Sequence, residues 1–392
     1  MKPLKVLMLS RGFSEGNGIA RVLLTYARHY DRQRVELHIA SFKPFAPAMA
    51  EALGQTGTIL HELGDRGYLR PALALRKLIR EQGFDLAVAT TLKPYLLAKL
   101  VSGQRCRVLY WIHGIALVTE SWLKATVYRW AARRDTLIFI SDLVRQAHCY
   151  AGHRGREAVV LNGVDDPLET GLLYPSSERE KLGIPRSAFV VGYTAAFIGW
   201  KQHETLLAAF SQLAPEFPRM HLLLIGTGEL WQGMQALART MPGGERIHFP
   251  GLRPDARQLL GLVDVYAHPS NGEGFGLALV EAMLASRAVV VSDAGALPEI
   301  IDDGETGLIC RVLDAADLAA KIAFLERDPE LRRRLGERAR AVALERFGAK
   351  RFAERMTEVL EGEPGATSRT PSLGKEDFDQ GTNSRASSTA AS

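Results

Sequence analysis

The chain has 392 residues, of which 46% are hydrophobic and 24% charged, with a formal net charge of +5. That length exceeds one typical core and suits two domains of about 150 to 180 residues each, and the composition excludes a wholly disordered chain. No apolar run approaches the roughly 18 residues of a membrane-spanning helix, and Cys106, Cys149 and Cys310 lack both disulfide-framework and metal-ligand spacing.

Taken in chain order, the first nine residues hold two lysines and a short apolar run, but Ser10, Arg11 and Gly12 end it too early for a secretion signal. Runs rich in Val, Ile and Leu follow at 5–9, 35–40, 86–90, 108–112, 137–140 and 158–161, with helical stretches between them. The plan repeats at 189–193, 221–225, 246–249, 263–268, 288–292 and 308–312. Such alternation predicts parallel strands with crossover helices, hence an α/β protein of two Rossmann-like, doubly wound domains with a cleft between them. The boundary is expected just after Asn162-Gly163-Val164-Asp165. This divides the chain into domains at 1–165 and 166–347, with a closing helix at 348–362 packed back on the first domain. The tail at 363–392, rich in Ser, Thr, Gly and Ala, is expected to be disordered.

Charge is unevenly distributed. Residues 1–165 carry 24 lysines and arginines against 13 acidic residues, so this part is basic and the remainder net acidic. Basic residues cluster at 66–80 and at 122–134, the latter interleaved with Trp122, Tyr128 and Trp130. The second cluster reads either as an amphipathic segment lying on an anionic membrane surface or as a solvated helix face with aromatic core anchors. Nucleic acid is not an expected partner, because the basic residues lack a recognition motif.

In open parallel sheets, ligands sit beyond the carboxyl ends of the strands. The informative loops fall there: 12–18, His113-Gly114, Gly226-Thr227-Gly228-Glu229 and 269–276. In the segment 270–281, Glu273 and Glu281 stand eight positions apart around a glycine-spaced helix entry. Gly274 and Gly276 flank Phe275, where backbone can approach a ligand closely and free N–H groups attract an anion. Glu281 is expected about two turns into a helix whose other residues are apolar, so its carboxylate needs a partner. Read alone, the pattern also fits a turn residue at 273 and a carboxylate at 281 paired with a structural arginine.

The ordered set resembles the retaining GT-B glycosyltransferases with a Glu-x7-Glu motif, family 4, also called group 1. The likeness runs from about residue 4 to 360: Gly16-Asn17-Gly18, His113-Gly114, Leu161 to Asp165, Lys201, Ile225 to Glu229, Phe249-Pro250-Gly251, Pro269-Ser270 with Glu273 and Glu281, and Glu299 with Gly304 and Thr306-Gly307. The resemblance implies a nucleoside diphosphate sugar as donor, held mainly by the second domain, and no cofactor or catalytic metal. It gives Glu273 the donor-sugar hydroxyls, with Gly274, Phe275 and Gly276 offering backbone N–H groups. Glu281 takes the ribose hydroxyls, and Lys201 the diphosphate. Gly16 and Gly18 let the first loop close over the phosphates, and backbone near Gly226, Gly228 and Leu252 meets the base. His113 stands near the reaction centre.

One departure matters: where the family carries an arginine five positions before the lysine, this chain has Ala196. Arg253, Arg11 or Arg21 is a candidate substitute. The expected function is retaining, metal-independent transfer of a hexose to a glycan or lipid-linked saccharide in a lipopolysaccharide or exopolysaccharide pathway. The expected location is the cytoplasm, peripheral to the membrane, with the cysteines as plain thiols. The rivals are a nucleotide-sugar isomerase or hydrolase on the same fold, and a non-catalytic sugar-nucleotide-binding protein.

Overall fold

A computed structural model describes residues 2–14, 16–104, 106–115, 122–148, 150–169, 171 and 173–362. Cys149 and the expected disordered tail at 363–392 lie outside the described residues. The first domain runs β1 (Leu4–Ser10), α1 (Gly18–His29), β2 (Val35–Ser41), α2 (Pro47–Gly54), β3 (Ile59–Glu62), α3 (Leu69–Gln82), β4 (Leu86–Ala89) and α4 (Leu92–Val101). It continues with β5 (Arg107–Ile112), α5 (Trp122–Ala131), β6 (Thr136–Phe139), α6 (Asp142–His148) and β7 (Glu157–Val159). The strands form one parallel sheet in the order β3-β2-β1-β4-β5-β6-β7. Helices cover both faces, so central strands are apolar throughout: Val6, Leu7, Met8 and Leu9 are all fully buried.

Strand β3 is an addition to the sequence expectation. It is a four-residue edge strand, Ile-Leu-His-Glu, with Ile59 exposed, too short and too polar to stand out as an apolar run.

The second domain comprises β8 (Phe189–Thr194), α7 (His203–Leu213), β9 (Met220–Ile225), α8 (Trp231–Arg239), β10 (Ile247–Gly251), β11 (Val265–His268) and α9 (Leu277–Leu284). Then come β12 (Ala288–Ser292), β13 (Leu308–Cys310), α10 (Ala315–Arg327), α11 (Pro329–Phe347) and α12 (Ala349–Glu361). Its six strands are parallel in the order β10-β9-β8-β11-β12-β13. Strand order reverses between β1 and β4 in one sheet and between β8 and β11 in the other, which sets the ligand crevice of each.

Two local signals break the carboxyl-terminal helical region. Asp328 caps α11 by accepting from the Leu331 N–H at 2.9 Å, and Gly348 adopts an extended conformation before α12. Helix α12 packs on the first domain. The Tyr26 hydroxyl meets Thr357 Oγ1 at 3.0 Å, and Arg34 Nε donates to Glu361 at 3.0 Å. Gly163 makes room for this: a Cβ there would lie 2.5 Å from Phe352 Cβ.

Candidate active site

The loop between β11 and α9 carries the first glutamate. Glu273 is buried, and its Oε1 accepts from His268 Nε2 at 2.8 Å and from the Lys201 ammonium. Nδ1 of His268 is enclosed without a partner, so the ring is the neutral tautomer with its proton on Nε2. Burial lowers the His268 pKa despite the adjacent carboxylate. Burial would by itself raise the Glu273 pKa, but the His268 hydrogen bond and the Lys201 ammonium outweigh it and hold the carboxyl at about 2. Lys201 also lies 4.1 Å from the Trp200 ring centroid. Its loop is shaped by Gln202, which adopts a left-handed φ of 55°.

Glu281 lies about one turn into α9, which starts at Leu277, not two turns in as the sequence suggested. The structure gives its carboxylate a partner other than ribose: Oε1 accepts from Arg257 Nε at 2.8 Å and from the Arg21 guanidinium of α1. Arg257 NH1 also stands 3.9 Å from Asp165, whose carboxylate binds His29 at 2.7 Å and Arg28 at 2.9 Å. The arginine pairing open at the sequence level therefore exists, twice over.

The first domain completes the site. Ser141 Oγ donates to the Gly274 carbonyl at 2.8 Å, and a Cβ on Gly274 would stand only 3.1 Å from the His113 carbonyl oxygen. His113 is thus brought beside the Glu273 loop. Its ring lies against Trp111, its Nε2 is enclosed without a partner, and burial depresses its pKa to about 3. Gly18 sits at the start of α1, where a Cβ would be 3.3 Å from Leu277 Cδ1 of the other domain. Glu299 reaches across as well: its carboxylate accepts the N–H groups of Asp142 at 2.9 Å and Leu143 at 2.6 Å, capping α6.

Other loop residues prove to be supports. Gly226 has a φ of 139°, and a Cβ there would lie 2.0 Å from the Ala195 carbonyl oxygen; its N–H is bonded to Gly251 O at 3.0 Å. Gly228 similarly abuts the Phe197 backbone. Phe275 is buried and packs edge-on against Phe347, so only its backbone is available to a ligand. Gly16 and Leu252 are exposed at the loop tips. Of the candidate replacements for the arginine absent at Ala196, Arg253 is engaged with Asp255 at 2.7 Å through two nitrogens and Arg21 with Glu281. Of the three, only the Arg11 side chain makes no hydrogen bond or ion pair among the described residues.

Sequence reasoning missed His268, Arg257, Ser141 and Gly295. His268 lay in plain view two residues before Ser270, at a strand end five positions from Glu273. Arg257 and Ser141 carried no local signal, since their partners are 24 and 133 positions away. Gly295 supports the loop through space: at φ 61°, a Cβ there would lie 2.5 Å from the Glu273 carbonyl oxygen.

Buried imidazoles make the fold acid-sensitive. Burial holds His113 and His203 at about 3 and His221 at about 4, whereas an unfolded imidazole titrates near the ordinary value of about 6.5. Between those limits the unfolded chain binds more protons than the folded one, so stability rises with pH there and is lost as pH falls from about 6.5 toward 4. The urea midpoint is expected to drop steadily across that window, and less steeply in His203→Gln.

Two doubly wound parallel domains with facing switch points, joined across the cleft by Arg21–Glu281, Ser141–Gly274 and Glu299–α6, define the GT-B architecture. Residues 176–342 match glycosyl transferases group 1, and residues 16–167 match glycosyltransferase family 4. The chain is 30% identical over 304 residues to the putative glycosyltransferase EpsD of Bacillus subtilis, covering 73% of this chain and 78% of that protein. It is 29% identical over 187 residues to the lipopolysaccharide core biosynthesis glycosyltransferase LpsE of Rhizobium meliloti, covering 48% and 54%. The solved structure of Anabaena HepE in complex with UDP superposes with a TM-score of 0.79 at 25% identity, over 92% of this chain and 100% of that one. This protein belongs to the group 1 glycosyltransferases.

Proposed function

We propose that the protein is a retaining hexosyltransferase that moves a sugar from a nucleoside diphosphate donor to a glycan or lipid-linked saccharide, with no divalent metal in catalysis. The observation that carries this reading is the buried Lys201–Glu273–His268 cluster at the carboxyl end of β11, one loop away from Glu281. It offers a fixed carboxylate for sugar hydroxyls beside a cation for the diphosphate. Support for the donor class comes from HepE, solved with UDP and with UDP-glucose, and for the acceptor class from the name of LpsE.

Glu273 remains ionised at any working pH and is committed to two donors, which disfavours it as a general acid and weakens the isomerase and hydrolase readings. Retention then follows from front-face attack. The acceptor oxygen bonds to the anomeric carbon as the bond to the diphosphate oxygen breaks, and the acceptor's proton passes to that departing oxygen. Lys201 balances the charge on the leaving group, and closure of the cleft excludes water that would hydrolyse the donor. His113, neutral at working pH, contributes a polar contact on the sugar. The test is a panel of UDP-, GDP- and ADP-sugars with a glycolipid fraction, reading nucleotide release and product anomeric configuration. Inversion, or conversion of the donor without acceptor, would overturn the reading; binding without turnover would favour a non-catalytic protein.

The same reading includes peripheral attachment to an anionic bilayer. No described helix is long and apolar enough to cross a membrane. In α5, Tyr128 is a core anchor, but Trp122 and Trp130 are 79% and 82% exposed, and Arg129, Arg133 and Arg134 are exposed around them. Helix α3 adds exposed Leu69 and Leu73 with Arg70, Arg76 and Arg80. Apolar side chains ringed by cations suit an anionic lipid surface. Trp122→Ala with Trp130→Ala is expected to reduce co-sedimentation with phosphatidylglycerol vesicles severalfold without changing donor affinity; unchanged sedimentation would remove the attachment surface.

A further inference from the structure

The loops after β1 and β2 enclose a recess of about 280 Å3 lined by Arg11, Gly12, Phe13, Asn17, Lys43 and Pro44. Its construction is specific. Lys43 N–H donates to Arg11 O at 3.0 Å, locking the two loops together, and Asn17 Nδ2 donates to Gly12 O at 3.3 Å. Phe13 stacks on Phe45 at 4.8 Å, giving the recess a rigid apolar floor. Arg11 and Lys43 are exposed, and neither side chain makes a hydrogen bond or ion pair among the described residues. Other arginines of the site are held in ion pairs, as Arg21, Arg253 and Arg257 are.

Nothing acidic among the described lining residues offsets the two cations. The neighbouring carboxylate, Asp65, is already bonded to Lys93 at 2.8 Å. Its pKa is lowered first by that bond, with Arg11 and Lys43 adding to the effect. The recess thus presents a planar guanidinium fork and a compact ammonium at one opening, the pairing that receives a phosphate or carboxylate.

Its place in the sheet separates it from the donor loop. The Glu273–Gly274 loop is held against His113 and Ser141, beyond the ends of β5 and β6. Arg11 and Lys43 stand beyond β1 and β2, two and three strands away from β5 in the order β2-β1-β4-β5. At about 4.8 Å per strand, that is roughly 10 to 14 Å from the sugar loop. All its lining residues belong to the first domain, whereas Lys201, Glu273 and Glu281 belong to the second.

We propose that Arg11 and Lys43 form an anion subsite that receives a phosphate or carboxylate group on the acceptor, so that the acceptor is an anionic molecule. This rests on the glycosyltransferase reading and deepens it. An anionic group held about 10 to 14 Å from the reacting centre orients an acceptor one or two sugar units long, and it accounts for cations left unpaired at the mouth of the cleft.

The test is calorimetric titration of inorganic phosphate, at low ionic strength, into the full chain saturated with UDP, comparing wild type with Arg11→Ala/Lys43→Ala and with Arg11→Lys. Both side chains are exposed and make no hydrogen bond or ion pair among the described residues, so the variants are expected to fold with an unchanged urea midpoint. Wild type is expected to bind phosphate with UDP in place. The double variant is expected to bind it at least tenfold more weakly with UDP affinity within twofold, and Arg11→Lys to fall between them. Equal phosphate affinity in wild type and the double variant, or none in wild type, overturns the subsite. Competition between phosphate and UDP, with UDP weakened in the double variant, assigns the cations to the donor diphosphate and equally overturns the proposal. Failure of wild type to bind any nucleoside diphosphate removes the glycosyltransferase reading instead, a result that repeating the phosphate titration without nucleotide keeps separate.

Discussion

Glu273→Gln is expected to lower turnover by roughly 10- to 150-fold while leaving nucleoside diphosphate affinity within about threefold. The wild-type carboxylate accepts from His268 and Lys201 through one oxygen, leaving the other for a sugar hydroxyl. An amide of the same shape carries no charge and turns one of its two faces into a donor. Either Lys201 and His268 together then meet a donor instead of an acceptor, or the sugar does. Loss of one charge-assisted hydrogen bond is worth about 1.5 to 3 kcal/mol, which sets the range of the rate effect. The pH profile separates a clamp from an acid or base. Because the carboxyl is held at about 2, wild-type turnover has no limb above about pH 4 that belongs to Glu273. A limb between pH 5 and 7 that disappears in Glu273→Gln would make Glu273 a proton-transfer group and sink the clamp role. Measured kcat, KM and UDP affinity decide the matter, and a loss of UDP affinity as large as the loss of turnover would count against it too.

Assembly of this site and closure of the domains are the same event. The Glu273 loop is fixed from its own domain by Gly295 and from the other by Ser141, and Glu299 fastens the adjoining 3-10 turn to α6. Glu299 is buried enough that its pKa is raised, despite the two N–H groups that favour its charge. Its two N–H bonds still tie the turn to α6, which suits a cleft that must exclude water when it shuts.

The parallel strands were legible because a strand buried on two faces must be apolar along its length, as 6–9 and 288–291 are. Edge strand β3 was not, since one side of it faces solvent. In the site, Glu273, Glu281 and Lys201 could be read from local glycine spacing and resemblance. Their partners could not. Arg21 and Arg257 meet Glu281 only because α1 and the loop after β10 converge on α9, and no periodicity reports contacts 260 and 24 positions apart. The arginine absent at Ala196 was visible as a gap, but only the three-dimensional pairing shows Arg253 and Arg21 already engaged and the Arg11 side chain without a partner among the described residues.

Arg257→Ala is expected to cost about 2 kcal/mol of stability and to weaken UDP binding about tenfold, whereas Arg21→Ala is expected to do less of both. Both arginines bond the same oxygen of Glu281, but Arg257 lies within the second domain and also approaches Asp165. Its removal leaves a buried carboxylate supported only from across the cleft, by a side chain whose position depends on closure. Burial pushes the Asp165 pKa up, and His29, Arg28 and Arg257 together hold it down at about 2; without Arg257 it keeps His29 and Arg28, so the damage falls mainly on Glu281. Breaking a fully buried pair costs about 3 to 5 kcal/mol; the partial exposure of Arg257 and the survival of Arg21 argue for the smaller figure. The second oxygen of Glu281 makes no hydrogen bond among the described residues, which leaves it for ribose while the arginines keep the group aimed. Urea midpoints and UDP calorimetry on Arg257→Ala, Arg21→Ala and Glu281→Gln supply the check. If Arg257→Ala loses stability but binds UDP as wild type does, Glu281 is a structural carboxylate and the ribose contact belongs to another group.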